Sequence, residues 1–517
     1  MSISTDDVSR RVVWLHDDAA RSAAMERELQ EFERAERVRL GIAEVPVAHW
    51  RDSAPRRFVR AERATTTLLC GGLTQAQDQL IQGALTGVGY RVEVLGTPDN
   101  EALRFGREFG NRGQCNPTYF TVGNLVKHLV ALRDEQGLAV GDIVDRHVFV
   151  TAGACGPCRF GTYATEYRKA LRDAGFEGFR VLLFQQQGGL RQACGEGDGL
   201  ALNRRFFLAL LRAVVAGDVL NAMGYRLRPY ERVAGATDAA LERCKAVVHA
   251  ALSRRASVVV ALARCRGLLA GVALDRGQVK PKVSVIGEFW AMTTEGDGNY
   301  RLQAFLESEG AEVGVQPVTA WLLYNLWQIR WDTRRRMGLR EADNGRHGLA
   351  GRHPWRRIVT MRLAELALRA VYGLYATVVG LPARRLCDLD EIATLSHPFY
   401  DNHLRGGEGH MEVGKLIQSV RERKAHMVVS VKPFGCMPSS GVSDGVQSLV
   451  TEKYPEAIFC AIETTGDGAA NAHSRVLRDL FKARRRALEQ AAASPPKLES
   501  ASEKLFNYLR EKTFRFP

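Results

Sequence analysis

The sequence predicts an α/β protein built from two Rossmann-like domains with mainly parallel sheets, joined by helical connecting segments. Short apolar runs alternate with helix-like stretches in both halves of the chain, an order that is typical of parallel sheets. Several of these runs end in glycine-rich loops that lead into a helix, as strands do in open α/β sheets. The chain has 517 residues, which is enough for roughly two to four domains.

This alternation of elements also sets the predicted domain boundaries. In the first half, apolar runs at 65–70, 90–95, 147–151 and 180–184 are separated by helical stretches; runs at 282–287, 427–431 and 457–463 repeat the order in the second half. The predicted segments are an N-terminal helical extension (1–60), a first α/β domain (61–200), a helical connector (201–280), a second α/β domain (281–490) with a helical basic insertion (320–381), and a C-terminal tail (491–517).

Composition indicates a globular protein whose cysteines stay reduced. Hydrophobic residues make up 45% and charged residues 25% of the chain, as in ordinary soluble domains. No apolar run reaches membrane-spanning length, since Arg369 interrupts the nearest candidate. The N-terminus has no secretory-signal pattern. We therefore expect a cytoplasmic protein without membrane contact, whose ten cysteines are ligands or redox groups more readily than disulfides.

The stretch of most chemical interest is a Cys-x-x-Cys turn. Residues 151–161 read TAGACGPCRFG, so that Cys155 and Cys158 follow an apolar strand and precede a helix. Two thiols in such a turn can hold a metal or an iron–sulfur cluster, or they can cycle as a dithiol. Two cysteines that merely fill a turn are the simpler alternative.

Two further cysteines occupy similar positions. Cys115 stands just before a helix, where the helix dipole favours the thiolate that a metal ligand needs. Cys436 follows a strand in a loop bent by glycine and proline. Four thiolates suit zinc or a [4Fe–4S] cluster. We therefore predict that these two cysteines converge with the Cys-x-x-Cys pair in a cleft between the domains. The remaining predictions are that Cys70 and Cys194 are reserve ligands and that Cys244, Cys265 and Cys460 are core residues.

A polar loop after the basic insertion supplies the predicted catalytic residues, Arg405, Glu408 and His410. The loop precedes a helix, so N–H groups and a guanidinium can meet one anion there. His410 can move protons near neutral pH, with Glu408 orienting it or sharing the task. A glycine-rich turn whose charges only cap the helix is the alternative.

The net charge of +14 is concentrated in a few places. Residues 330–357 contain nine arginines, and 482–486 form a second cluster. No zinc-finger spacing or RNA-binding signature accompanies them, so we do not expect nucleic acid as a partner. The clusters fit a basic face for an acidic protein or a phosphate-bearing substrate, or a solvated surface.

Seven motifs give the sequence a resemblance to a known superfamily. They are Cys70-Gly-Gly-Leu-Thr, Gly113-Gln-Cys115-Asn-Pro-Thr, Cys155-Gly-Pro-Cys158-Arg-Phe-Gly, Gly287-Glu-Phe-Trp, Gly296-Asp-Gly-Asn, Leu404-Arg-Gly-Gly-Glu-Gly-His410 and Lys432-Pro-Phe-Gly-Cys436-Met-Pro. With them the chain resembles the superfamily of 2-hydroxyacyl-CoA dehydratases, benzoyl-CoA reductases and double-cubane cluster proteins, over roughly residues 65–485. It most resembles the dehydratase-like portion of the large proteins related to 2-hydroxyglutaryl-CoA dehydratase activators.

The resemblance implies a cofactor and a partner. The cofactor is an iron–sulfur cluster, a [4Fe–4S] or double-cubane cluster, between Rossmann-like domains. The partner is an ATPase of the actin/hexokinase-like fold that carries its own cluster and delivers low-potential electrons. This sequence has no P-loop, so we expect the ATPase on a separate chain, in a dimer or hetero-oligomer. The function implied is that of an oxidoreductase or lyase component that accepts these electrons and acts on an acyl-CoA or another small molecule.

The chain departs from the dehydratase subunits in one way that bears on activity. Those subunits commonly use three cysteines for each cubane and leave one iron open to substrate, whereas Cys158 would supply a fourth thiolate. A closed cluster favours electron transfer over binding of a substrate oxygen. Two alternatives therefore stay open: an electron relay or scaffold that docks an activase through residues 330–357, and a thiol–disulfide protein that uses the Cys-x-x-Cys pair alone.

Overall fold

The computed structural model of this protein describes most of the chain. The described residues are 24–41, 57–153, 158–185, 199–337, 349, 353–381, 386–404, 407 and 409–493. The chain divides into two compact units, Met1–Ser53 and Ala54–Pro517. In the first unit, residues 24–39 form a helix with exposed apolar side chains. The second unit contains both sheets.

Two four-stranded sheets, in each of which all strands are parallel, form the framework. The first sheet has the order β2-β1-β3-β4, and its strands are β1 Thr67–Cys70, β2 Arg91–Val94, β3 His147–Gly153 and β4 Arg180–Gln185. The second has the order β6-β5-β7-β8, and its strands are β5 Lys282–Gly287, β6 Glu312–Val315, β7 Met427–Pro433 and β8 Phe459–Thr464. The predicted fold class, two Rossmann-like domains with parallel sheets, is confirmed.

Helices connect and cover the strands. In chain order the α-helices are α1 Gln75–Gly87, α2 Asn100–Phe109, α3 Asn116–Asp134, α4 Val140–Arg146, α5 Tyr163–Asp173, α6 Arg204–Leu227, α7 Ala236–Ser253, α8 Val258–Ala270, α9 Phe289–Thr293, α10 Leu302–Ser308, α11 Val318–Met337, α12 Pro354–Val379, α13 Leu389–Ser396, α14 Gly409–Arg421, α15 Met437–Gly441, α16 Gln447–Lys453 and α17 Ala469–Ala493. We call the first sheet with α1–α5 the first module, and the second sheet with α9, α10 and α14–α17 the second module.

Local sequence explains where several helices begin. Thr74 caps α1, because its side chain accepts a hydrogen bond from Gln77 N and the Gln77 side chain reaches back to the Thr74 backbone N–H. This reciprocal capping box is a strong helix-start signal. Asp99 caps α2 by a single bond, which its side chain accepts from Ala102 N at 2.8 Å. The Asp99 side chain also pairs with Lys127 of α3, which holds α2 and α3 together.

The remaining helices α6–α8 and α11–α13 form one helical layer with a shared core. Most of their buried apolar side chains belong to one cluster that includes Leu220, Cys244, Leu262, Trp327 and Tyr372. The predicted connector and the predicted insertion are therefore parts of the same body. The region 204–230 is long and apolar enough to cross a membrane by length and composition, but 56% of its most apolar window is buried inside the fold. That burial is what a core helix of a soluble protein shows.

The two modules contact each other directly. Asn100 N at the start of α2 donates to Asp297 Oδ2 at 3.0 Å, and Gln75 N at the start of α1 donates to Glu295 Oε2 at 2.7 Å. Phe120 of α3 packs on Trp290 of α9 with ring centroids 5.6 Å apart. These contacts place helix N-termini of the first module against acidic loops of the second.

Candidate functional site at the carboxyl ends of the strands

The two sheets have the same strand order, so their strands correspond in pairs. In the first sheet the chain passes from β1 to the edge strand β2 and then returns to form β3 on the other side of β1. In the second sheet it passes in the same way from β5 to the edge strand β6 and then to β7. The gap beyond the carboxyl ends of the neighbouring strands, β1 and β3 or β5 and β7, is the topological switch point, where ligands bind in open α/β sheets. Cys158 lies beyond β3 and Cys436 lies beyond β7. Two of the predicted ligands therefore follow equivalent strands.

The segments that carry Cys115 and Cys436 touch each other across the two modules. Asn116 N donates a hydrogen bond to Phe434 O at 3.0 Å. Gly435 has a φ of +78°, and a Cβ built on it would lie 3.1 Å from Cys115 Cα and 3.3 Å from Gln114 O. Glycine is required here both by the left-handed backbone and by this close approach. The predicted juxtaposition of the Cys115 and Cys436 segments is present.

The Cys158 segment reaches the same place through Arg159. Cys158 stands directly before a short 3-10 turn, and the Arg159 guanidinium donates to the Gly113 carbonyl. Arg159 Nη1 also lies 3.5 Å from the position of a Cβ built on Gly435. Three cysteine-bearing segments thus meet around Gly435. Cys155, the other member of the Cys-x-x-Cys pair, lies outside the described residues.

Hydroxyl groups surround the buried Cys115 thiol. Its Sγ lies 3.1 Å from Thr118 Oγ1 and 3.1 Å from Tyr163 Oη. Cys115 is the N-cap of α3, as the sequence predicted, and Pro117 follows in the first turn. Burial raises the pKa of Tyr163, and the neighbouring Cys115 raises it further. Tyr163 therefore keeps its proton and can donate it in a hydrogen bond to sulfur. Sequence reasoning did not single out Tyr163.

Two carboxyl groups lie near Cys436. Burial raises the pKa of the Cys436 thiol, and the charges of Glu288 and Glu412 act in the same direction. Glu288 follows β5 directly, where its side chain accepts a bond from Ala291 N at 2.8 Å at the start of α9. Glu412 Oε1 accepts a bond from Ser439 Oγ at 2.8 Å. A thiol in this setting stays protonated, so binding a metal there must release a proton.

His410 and Glu412 point to different sides of α14. Successive helical residues are about 100° apart, so these two side chains diverge by about 200°. Glu412 faces the Cys436 segment through Ser439, whereas the ring of His410 stacks on Trp327 of α11 at 4.6 Å between centroids. Burial lowers the pKa of His410 to about 3, so its imidazole is neutral at physiological pH. These surroundings correct the expectation that His410 exchanges protons near neutral pH, and its catalytic role stays a prediction. The other predicted catalytic residues, Arg405 and Glu408, lie outside the described residues.

Of the other cysteines that the sequence analysis singled out, one ends β1 and three lie in the core. Cys70 ends β1, and burial, with the nearby Asp78 adding to it, raises its pKa to about 12. Cys244 and Cys265 are fully buried against each other, with each Sγ near the other's carbonyl oxygen at 3.7 and 3.6 Å. Cys460 is buried in β8. The prediction that these last three are core residues is confirmed. Cys194 lies outside the described residues.

The cysteine segments suit a metal cluster in their chemistry, although the described residues do not assemble a full ligand set. Among the residues that the structure describes, no three His, Cys, Asp or Glu side chains are grouped so as to hold a metal ion. The donors themselves are appropriate, because iron–sulfur clusters are held by cysteine thiolates and a helix N-terminus favours the thiolate. The structure shows that three cysteine-bearing segments meet, two of which follow the equivalent strands β3 and β7.

Comparison with known proteins identifies no relative. No protein-family model matches the sequence, and no curated protein matches it. Function must therefore be argued from the geometry of this site together with the motif resemblance.

Proposed function

We propose that this protein is the iron–sulfur cluster-binding component of an ATP-dependent, low-potential reductase or 2-hydroxyacyl-CoA dehydratase-like system. The observation that carries the proposal is the contact between the Cys115 and Cys436 segments, which belong to different modules. Asn116 N bonds to Phe434 O at 3.0 Å, and the Gly435 backbone packs on Cys115 itself. A structural zinc site usually draws its ligands from one local knuckle. Ligands from separate modules, beyond strand ends, instead favour a cluster that works in a cleft.

In this proposal Cys115, Cys155, Cys158 and Cys436 hold the cluster, which is a [4Fe–4S] cluster or half of a double cubane. When bound, the cluster supplies one-electron transfer at low potential. The chain's own residues set its surroundings. The hydroxyls of Thr118 and Tyr163, each 3.1 Å from Cys115 Sγ, can donate hydrogen bonds to the sulfur, which stabilises the thiolate and tunes the potential.

The carboxyl groups of Glu288 and Glu412 are better placed than His410 to hold protons beside this site. Burial raises the pKa of Glu288, so it can remain protonated closer to neutral pH than an exposed glutamate. Glu412 connects to the Cys436 segment through Ser439 at 2.8 Å. A reductive or dehydrating step needs such a proton source next to the electron source. Both groups are therefore proposed to serve the reaction.

The proposed electron donor is a separate ATPase of the actin/hexokinase-like fold with its own iron–sulfur cluster. Only the motif resemblance supports this partner. One structural observation supports the electron-relay alternative: Arg334 and Arg335 are exposed at the end of α11. Arg330, one turn earlier, is instead buried against Asp390 at 2.8 Å and belongs to the fold. The exposed arginines can therefore dock an acidic partner without disturbing the core.

Anaerobic metal analysis tests the proposal. Wild-type protein, purified or reconstituted without oxygen, should contain iron and acid-labile sulfide in equal amounts and absorb broadly near the iron–sulfur charge-transfer region. Cys115→Ser and Cys436→Ser should each lose the iron. Cys387→Ser is the matched control, because Cys387 is partly exposed in the helical layer and should keep it. Wild-type protein that binds no iron would reject the proposal in favour of the thiol–disulfide alternative.

A second measurement separates an enzyme component from an electron relay. The iron-loaded protein is mixed with its cognate ATPase, ATP and a reductant, and substrate turnover is followed. An enzyme component should consume a 2-hydroxyacyl-CoA or a related small molecule in an ATP-dependent manner. A protein whose cluster is reduced with ATP but which turns over no such substrate would be a relay.

A further inference from the structure

Helix α12 is apolar on two opposite faces. Its inner face packs into the helical layer, where Ile358, Leu368 and Val379 are buried. Its outer face carries five large apolar side chains that are each between 49% and 61% exposed: Trp355, Val359, Leu363, Leu366 and Leu374. A helix that is hydrophobic on all sides is normally buried on all sides. The outer face of α12 therefore has the composition of a buried surface.

The five exposed side chains form one continuous stripe, which we call the outer stripe. At about 100° per residue they fall within about 100° of one another around the helix, together with the exposed Ala370 and Gly373. The stripe extends from Trp355 to Leu374, or ~28 Å along the helix axis. Apolar patches of this extent are rare on monomeric proteins and usually mark a site of interaction.

The outer stripe carries almost no charge. From Val359 to Val379, all of which the structure describes, the one exposed charged side chain is Arg362. Its guanidinium bonds at 2.8 Å to the carboxylate of Glu365, which belongs to the buried side of the helix. A helix face that meets water normally carries charged side chains. The stripe therefore suits a partner that is equally apolar.

Gly373 provides a second observation. It lies inside α12, where glycine costs about 1 kcal/mol relative to alanine, and its φ is not positive. A Cβ built on it would meet no atom of the described residues within 4 Å. Within that part of the chain nothing requires a glycine at this position. A bulky side chain of a partner that packs closely on the helix would require one.

We propose that the outer stripe pairs with the outer stripe of a second copy of this chain, as an antiparallel helix pair around a two-fold axis. A two-fold pair uses the same patch on both copies, so an apolar stripe complements itself. With the axis between Leu363 and Leu366, Trp355 of each copy lies opposite the turn that contains Gly373 of the other. A large side chain thereby faces a small one, as close packing requires.

The distribution of charge favours the antiparallel orientation. The exposed cations Arg356 and Arg362 lie in the first half of α12, and residues 370–379 contain no charged side chain. In an antiparallel pair the cations of one copy lie beside the carboxyl end of the other, where the helix dipole is negative. In a parallel pair the cations of the two copies would face each other.

The outer stripe is large enough for a specific dimer. Such an interface buries at least about 1,000 Å² in total, or about 500 Å² on each copy. The five large side chains provide this area if about 100 Å² of each is covered, and about half of each is exposed. The inference does not depend on the cysteine site.

Sedimentation velocity on the full chain, prepared without oxygen, tests the proposal. The wild type should be a dimer at about 10 μM, since interfaces of this class give micromolar affinity or better. Leu366→Arg places two guanidinium groups near the two-fold axis and should weaken the dimer at least about a hundredfold. Leu449→Arg is the matched control, because both leucines are 52% exposed and Leu449 lies on α16 in the second module. It should change the dissociation constant less than about twofold.

Gly373→Leu tests the register of the pair. In the isolated chain this exposed change should raise thermal stability, because leucine is a better helix former than glycine. In the dimer the new side chain should collide with Trp355 and weaken association at least about tenfold. Adding Trp355→Ala should restore much of that loss, because it vacates the space that the leucine needs.

Four results would overturn the proposal. A wild type that stays monomeric at about 100 μM would mean that something other than a second copy covers the stripe. Leu366→Arg that dimerises as tightly as the wild type would mean that the copies meet through another surface. Equal weakening in Leu366→Arg and Leu449→Arg would mean a general effect of added charge. Gly373→Leu that associates like the wild type would exclude the antiparallel register.

Discussion

Gly435 makes the contact between the two cysteine segments testable without touching a cysteine. Its φ of +78° penalises any side chain, and a Cβ there would lie 3.1 Å from Cys115 Cα, a backbone atom that cannot swing away. In Gly435→Ala the left-handed backbone costs about 1–2 kcal/mol. Crowding against the Cys115 segment costs about a further 1–3 kcal/mol, the usual scale of overpacking. The sum predicts a loss of about 2–5 kcal/mol in the free energy of unfolding.

Gly113 supplies the matched control for this substitution. It has nearly the same φ, +76°, and a Cβ built on it would meet no atom within 4 Å. Gly113→Ala should therefore cost only the backbone part, about 1–2 kcal/mol. Urea denaturation of both variants measures the difference, which isolates the contact between the segments. If the two variants lose the same stability, the Cys115 and Cys436 segments do not pack as described.

The other predictions concern His410 and Asp218. Because the pKa of His410 is about 3 when folded and about 6.5 when unfolded, the unfolded chain binds the proton first as pH falls. The contribution of His410 to the free energy of unfolding has its full value above pH 6.5. Below pH 6.5 this contribution falls by about 1.4 kcal/mol per pH unit, so the free energy of unfolding should be about 2 kcal/mol lower at pH 5. Denaturation of the wild type and of His410→Phe at pH 7 and pH 5 measures this loss. If both proteins lose the same stability between the two pH values, the prediction is wrong. Asp218 accepts bonds from Val318 N at 2.9 Å and Thr319 N at 2.7 Å, so Asp218→Ala should cost about 2–4 kcal/mol in thermal or urea unfolding. Asp238→Ala, which removes an exposed ion pair, should cost less than about 1 kcal/mol; a comparable loss would refute the anchoring role of Asp218.

The fold was predictable because its signals are local. Alternating apolar runs and helix-start residues such as Thr74 specify β-α-β units within short windows. The short edge strand Glu312–Val315 and the helix Asn100–Phe109 were not predicted, since the strand has only four residues and Gly106 lies inside the helix, where glycine is usually a sign of a loop. The common core of α6–α8 and α11–α13 depends on contacts between distant parts of the chain, which no local pattern reports.

The site was predictable only in part, for a similar reason. The position of a cysteine after a strand can be read from sequence, and parallel strands bring such ends to one edge. That reasoning placed Cys115 and Cys436 near each other. Tyr163 and Glu288 were missed because their proximity to these thiols arises from packing between segments far apart in sequence. For His410 the difficulty was orientation, since the residues that cover each side of α14 are known only from the structure.

The most direct test of the account is the iron content of Cys115→Ser, Cys436→Ser and the double variant, measured per chain after anaerobic reconstitution. If both cysteines hold the same cluster, each single variant should lose nearly all the iron and the double variant should lose no more. Equal half-losses in the single variants, with complete loss only in the double variant, would mean two separate clusters. Full iron retention in all three would mean that the meeting of these segments serves the fold alone. Either result would contradict the shared site at the carboxyl ends of the two sheets.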